Sequence, residues 1–241
     1  MYPRTFIFIL CFASNALGFI NIESLRANSK QGFNNQGKLL FNQQTGNTQK
    51  TLYSVSLLTS HMADWQEYIL IGNLRYGESF ERKDTEDGNA HFRYTQKLAD
   101  HHYAELYTQY EYNRFKALTA RRLVGLGYRF TSSVLNLGVG AFDENEVITH
   151  ADDQVAVRGN IYLSSSYKNK TGFEMALIYY YQPSLRQGND VRTILNAGVS
   201  QKINKSVGMS IEYKNVYDQR PPAAIKNYDS SLMFGFNFLI K

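Results

Sequence analysis

The chain has 241 residues, 43% hydrophobic and 14% aromatic, with a formal charge of +5 at pH 7. After the N-terminus no stretch reaches the roughly eighteen consecutive apolar residues of a membrane-spanning helix. The Lys and Arg residues are scattered instead of gathered into a tract, so there is no nucleic-acid footprint. The aromatic set is lopsided, 18 Tyr and 15 Phe against 1 Trp, a balance suited to strands and to membrane-interface belts.

In chain order, Arg4 precedes an apolar core from Phe6 to Ala13, and Ala16-Leu17-Gly18 supplies small residues at a cleavage spacing. Residues 1–18 therefore read as a secretory signal peptide, too short to span a membrane. Cys11, the single cysteine, falls inside it, so the mature chain is expected to carry no thiol, disulfide or thiolate metal site. Export without disulfides fits a bacterial envelope protein better than a small secreted scaffold. Residues 19–32 form a polar N-terminal segment, and 33–241 one repetitive domain.

That repetition predicts strands at Phe33–Gln43, Thr51–Ser60, Gln66–Gly77, Asn89–Leu98, His102–Tyr112, Leu118–Phe130, Val134–Phe142, Val155–Tyr167, Gly172–Gln182, Val191–Lys202, Ser206–Tyr217 and Tyr228–Ile240. About twelve strands of about eleven residues match the number and length of strands in bacterial outer-membrane barrels. The hairpin His102–Phe130 shows the pattern best. Ala104, Leu106, Thr108, Tyr110 and Tyr112 share one face, and Val124, Leu126, Tyr128 and Phe130 continue it. Tyr103, Glu105, Tyr107, Gln109 and Glu111 take the other, with Leu123, Gly125, Gly127 and Arg129, because strand side chains alternate.

The connections carry a second signal. Counted from a periplasmic N-terminus, every second link is tight: 61–64, 99–101, 131–133, 168–170 and 203–205. On the other side long loops are expected at 78–88, 143–153, 183–190 and 218–227, with short links near Thr45-Gly46-Asn47 and Arg114–Ala117. Short turns on one side and longer loops on the other are how a membrane barrel is threaded. A soluble barrel would alternate in the same way with its apolar face inside. Aromatics clustered at strand ends, and a polar face mixing charge with glycine, favour lipid outside. The fold expected is an all-β, up-and-down transmembrane β-barrel.

INIESLR near the mature start, LFNQQTGNTQK, YEYNRFKALTARRLVGLGYRF and KNVYDQRPPAAIKNYDSSLMFGFNF resemble the salt-induced outer-membrane protein family, a bacterial outer-membrane β-barrel domain family of unknown function. The resemblance runs from Ile20 to Phe238. It implies an outer-membrane barrel with a link to salt or osmotic tolerance, and supplies no catalytic residue, substrate or cofactor. Barrels of this kind usually stop on a terminal aromatic, whereas here Leu239-Ile240-Lys241 follow Phe238.

Several constellations bear on function. Arg75, Arg93, Lys97, Glu105, Glu111, Arg129, Arg158, Glu174, Arg192, Glu212 and Lys214 are expected to face the lumen, where charges of both signs can pair and plug it or line a water path. Arg114, Lys116, Arg121 and Arg122 fall at the outer rim, at the height of lipopolysaccharide phosphates, which Arg binds bidentately. Asp143, Glu144, Glu146, Asp152 and Asp153 read as a solvated outer loop, as do Asp84, Glu86 and Asp87, in preference to calcium sites. His101-His102 beside Asp100 reads as a polar turn in preference to a metal site. Ser164, Ser165, Ser166 and His150 offer a nucleophile and a base without a spacing that pairs them. The leading expectation is a non-enzymatic envelope barrel, a narrow channel or a structural one, without cofactor or metal. Its expected partners are outer-membrane lipids, lipopolysaccharide and the barrel-assembly machinery. A lipid-modifying barrel enzyme and a soluble periplasmic ligand-binding barrel are the alternatives.

Overall fold

A computed structural model describes residues 31–47, 49–204, 207–221 and 225–238. The signal peptide expected at 1–18, nearly all of the 19–32 segment, and residues 239–241 lie outside the described residues. The strands are β1 (Gly32–Gln44), β2 (Lys50–Met62), β3 (Gln66–Ser79), β4 (Arg82–Ala99), β5 (His102–Asn113), β6 (Leu118–Thr131), β7 (Leu135–Ile148), β8 (Gln154–Lys168), β9 (Phe173–Pro183), β10 (Val191–Lys202), β11 (Val207–Asp218) and β12 (Tyr228–Phe238). They form one 12-stranded sheet whose spatial order is the chain order. Each described neighbour pair is antiparallel, so the topology is the expected up-and-down meander.

The sheet curls into a barrel because its inner face reaches itself. Asn160 on β8 donates to the Tyr107 hydroxyl on β5 at 3.2 Å, and the Tyr162 hydroxyl donates to Glu105 at the same distance. Lys116, on the short helical turn between β5 and β6, pairs with Asp229 on β12. Among the described residues no ladder joins β12 to β1.

Two connections differ from expectation. The β3–β4 link is not a long loop: β4 begins at Arg82, and only Phe80 and Glu81 turn the chain. Both sit at positive φ, 50° and 60°, the left-handed region that a two-residue primed hairpin turn needs. Asn and Gly ordinarily advertise that turn, and neither is present. Likewise β7 runs on to Ile148, so the expected acidic loop at 143–153 is strand for its first half. Of the outer-side connections, those after β9 and β11 are the long ones.

Curvature comes from aromatic rings lying over glycines. Tyr107 stands opposite Gly125, and Tyr162 opposite Gly138, in the ladders β5–β6 and β7–β8. Each ring occupies the space that a Cβ on its glycine would need. Tyr107 is 5% exposed and Tyr162 3%, so two large side chains fit inside a tightly bent sheet only because the facing residue has no side chain. Gly138→Val should therefore drive a methyl group into the Tyr162 ring and cost about 1–3 kcal/mol of overpacking. We expect the urea midpoint of the folded, heat-modifiable form to fall, and Tyr162→Ala in the same chain to restore part of the loss.

Candidate functional site

The lumen is the candidate site, and the register fixes which side chains enter it. Each strand from β3 to β11 sends alternate residues inward, and on β5–β7 those residues are mostly charged, tyrosine or glycine. At the long-loop end they form one ion-paired cluster around Glu144, which is 1% exposed. Its carboxylate accepts from Arg158 Nε at 2.5 Å, from Arg192 Nη1 at 2.8 Å and from Arg121. Arg121 also donates to Glu111 at 2.8 Å, and Arg158 grips Asp190 through both terminal nitrogens at 2.9 Å. Arg192 reaches Glu146 at 2.9 Å and Asp218 at 2.7 Å. The cluster joins β5, β6, β7, β8, β10 and β11.

A second layer lies deeper toward the short-turn end. Arg93 donates to Glu105 at 2.9 Å, and Arg129 approaches the same carboxylate at 3.5 Å. The two guanidiniums lie over aromatic faces, Arg93 over Tyr107 at 4.8 Å and Arg129 over Tyr103 at 4.6 Å. Arg75 pairs with Asp87 through both carboxylate oxygens, at 3.0 and 2.9 Å. In water such pairs contribute little, but in a desolvated interior an unpaired partner is costly.

Each lumen candidate from the sequence faces inward. Arg93, Glu105, Glu111, Arg129, Arg158 and Arg192 are buried in the two layers. Arg75, Glu212 and Lys214 share the inner face nearer the seam, on β3 and β11. Lys97 and Glu174 sit at the short-turn end, paired with Asp100 and Lys168 at 2.7 Å each.

The rim set divides. Arg122 points outward beside Tyr110 in the ladder, and Arg114 is exposed and paired with Glu86 at 2.8 Å. Arg121 is not a rim residue: it faces inward, 7% exposed, and belongs to the Glu144 cluster. Lys116 turns toward β12, to Asp229.

Glu144, Glu146, Asp190 and Asp218 are the residues that sequence reasoning missed, having assigned them to loops or loop edges. The signal was present. Phe142, Glu144, Glu146 and Ile148 carry on the inward alternation of Gly138 and Gly140, whereas Asp143 and Asn145 carry on the outward one. His150 lies in the β7–β8 connection and Ser164 ten residues into β8, so roughly 30 Å of strand separates them and they form no nucleophile–base pair. Ser164 instead accepts from the Asn136 amide at 3.1 Å. The His102 ring lies against Tyr128 and Phe130.

These features define a class: a single antiparallel β-barrel with an apolar exterior and an ion-paired interior. The chain belongs to the family described as protein of unknown function, DUF481, whose model matches residues 39–239. Comparison with curated proteins gives no match. Among solved structures, a NanC porin in a rhombohedral crystal form is similar, with a TM-score of 0.47 and 12% identity, over 86% of this chain and 99% of that one.

Glu144→Gln would leave three buried guanidiniums short of a counter-charge. Breaking such a group should cost about 3–5 kcal/mol. Its neighbour Asp143 points outward and is exposed, so Asp143→Asn should stay within about 0.5 kcal/mol. Urea unfolding of both variants in detergent checks the contrast.

Proposed function

We propose that this chain is an outer-membrane β-barrel of a Gram-negative envelope, acting as a narrow channel and not as an enzyme. One observation carries the reading: the apolar rows lie on the outside, uncovered. Leu106 is 51% exposed, Val124 58%, Leu126 66%, Val139 53% and Phe234 70%, while Glu105, Glu111, Arg121, Arg129, Glu144 and Glu146 on β5, β6 and β7 are buried. At about 25 cal/mol per Å² of apolar surface, leaving such rows in water forfeits the burial that folds a soluble domain. A soluble ligand-binding barrel would turn this face inward.

Aromatic residues at both ends of the rows support the placement. On β3 the outward sequence is Tyr68, Leu70, Gly72, Leu74, Tyr76. Eight residues at about 3.3 Å each, tilted by about 40°, rise roughly 20 Å, near the height of an outer-membrane apolar band. The Tyr68 and Tyr94 rings meet at a tilt, 5.1 Å apart, on one border, and those of Tyr110 and Tyr112, 6.5 Å apart, on the other. Such girdles sit at headgroup level. Outer-membrane lipids surround this belt, lipopolysaccharide meets Arg114 and Arg122 at the outer rim, and the barrel-assembly machinery inserts the chain. A part in salt or osmotic tolerance, which the sequence resemblance implies, suits a narrow path that limits solute flux.

Three measurements test this. The native protein should fractionate with outer membranes and give small, discrete conductance steps in planar bilayers; a silent bilayer with folded protein present would make it a structural barrel instead. Arg114→Ala with Arg122→Ala should lower the lipopolysaccharide that co-purifies, and unchanged co-purification removes the rim contact.

A further inference from the structure

The inner face is not uniform, and the difference follows strand position. On β4–β9 the inward residues His91, Arg93, Glu105, Glu144, Asn160 and Tyr180 are all buried. On β1, β2 and the short-turn half of β10 and β11 the inward residues other than Ser60 and Gly208 are half-buried or exposed. Gln36 and Asn42 on β1 are exposed, and Ser54, Ser56, Asn196 and Ser210 are half-buried. Register puts them on the inner side: Ser56 lies between Lys38 and Asn73, and Ser210 between Ser200 and Gly235. The packed half of the lumen holds guanidinium, carboxylate and phenol. In the open half amides and hydroxyls are the commonest inward groups, with Leu40, Leu52 and Leu58 among them.

We propose that permeation, on the channel reading above, runs off the barrel axis along β1–β2 and β10–β12, and that its wall favours small uncharged hydroxylated solutes. Ser, Asn and Gln side chains both donate and accept, so they can replace the hydration water of a polyol or sugar bond for bond. An ion shedding water there meets no concentrated opposite charge. The charges that could supply one are drawn into the pairs of the packed half, where Glu144 alone engages Arg121, Arg158 and Arg192. The other charges at inward positions of these strands, Lys38, Lys50, Lys202, Glu212, Lys214 and Asp229, are of both signs, and Lys50 and Asp229 are held by Asp84 and Lys116, so they set up no single-sign ring. The path is therefore selective by size and hydrogen bonding, with weak preference between ions of either sign.

The single native cysteine, Cys11, makes a clean test possible. On a Cys11→Ser background, Ser56→Cys, Ser210→Cys and Ser164→Cys are placed singly in folded, heat-modifiable protein and reconstituted into liposomes. Swelling in arabinose and in arabonate is measured before and after a membrane-impermeant methanethiosulfonate reagent, so each unlabelled variant is its own control. Arabinose should enter faster than arabonate; labelling at 56 or 210 should slow entry, and labelling at 164, which is 1% exposed on the packed wall, should change nothing. Swelling that ignores labels at 56 and 210, or stops with a label at 164, overturns the off-axis path. Arabonate entering as fast as arabinose overturns the solute class. No swelling with either solute before labelling overturns the channel reading itself.

Discussion

One carboxylate shared by three guanidiniums sets the terms for the rest of the barrel. Glu144 on β7 draws in Arg121 from β6, Arg158 from β8 and Arg192 from β10, three strands away. Ions in such a place lose their hydration, and only near-complete pairing offsets that loss. Glu111, Glu146, Asp190 and Asp218 complete the pairing from β5, β7, the β9–β10 connection and β11. A flat sheet cannot bring β7 and β10 side chains within hydrogen-bond reach, so the ion cluster and the curl require each other.

The same requirement decides which way the strands face. Period-two alternation allows one polar side and one apolar side, and once the charges are gathered inside, the Leu, Val and Phe rows must look outward. In water that arrangement would be unstable; in acyl chains it is the favourable one. Tyrosine rings over glycines complete the interior. Tyr107 over Gly125 and Tyr162 over Gly138 fill the level just below the ion cluster, and their hydroxyls extend its hydrogen bonds through Asn160 and Glu105. Filling is thus concentrated on one side of the lumen, leaving the amide- and hydroxyl-lined side near β1 and β11.

Much of this was legible from residue order. Strand number, meander topology and inward direction of the charged candidates all followed from alternation and turn spacing, as in the His102–Phe130 hairpin. What failed was turn chemistry. Phe80-Glu81 turns the chain without Asn or Gly, so the sequence pattern points to a β4 start at Asn89, seven residues after the actual one at Arg82. The run Asp143–Glu146 looks like a solvated loop because charge dominates it, yet its alternate members face opposite environments. Closeness to the hairpin tip makes Arg121 read as a rim residue, although it shares a face with Leu123. Partners such as Glu144 and Arg192, 48 residues apart, are set by curvature, which no local pattern records.

The side of the sheet that meets lipid is the central claim, and depth-resolved fluorescence quenching reaches it directly. Trp65 is the single tryptophan, so a Trp65→Phe background leaves Val124→Trp as the reporter in the middle of the outward row. In bilayers with lipids brominated deep in the acyl chains, that tryptophan should be strongly quenched and blue-shifted, and a soluble acrylamide quencher should barely reach it. Emission indifferent to the bromines would mean that Val124 faces something other than lipid, and the placement of this barrel in a membrane would be wrong.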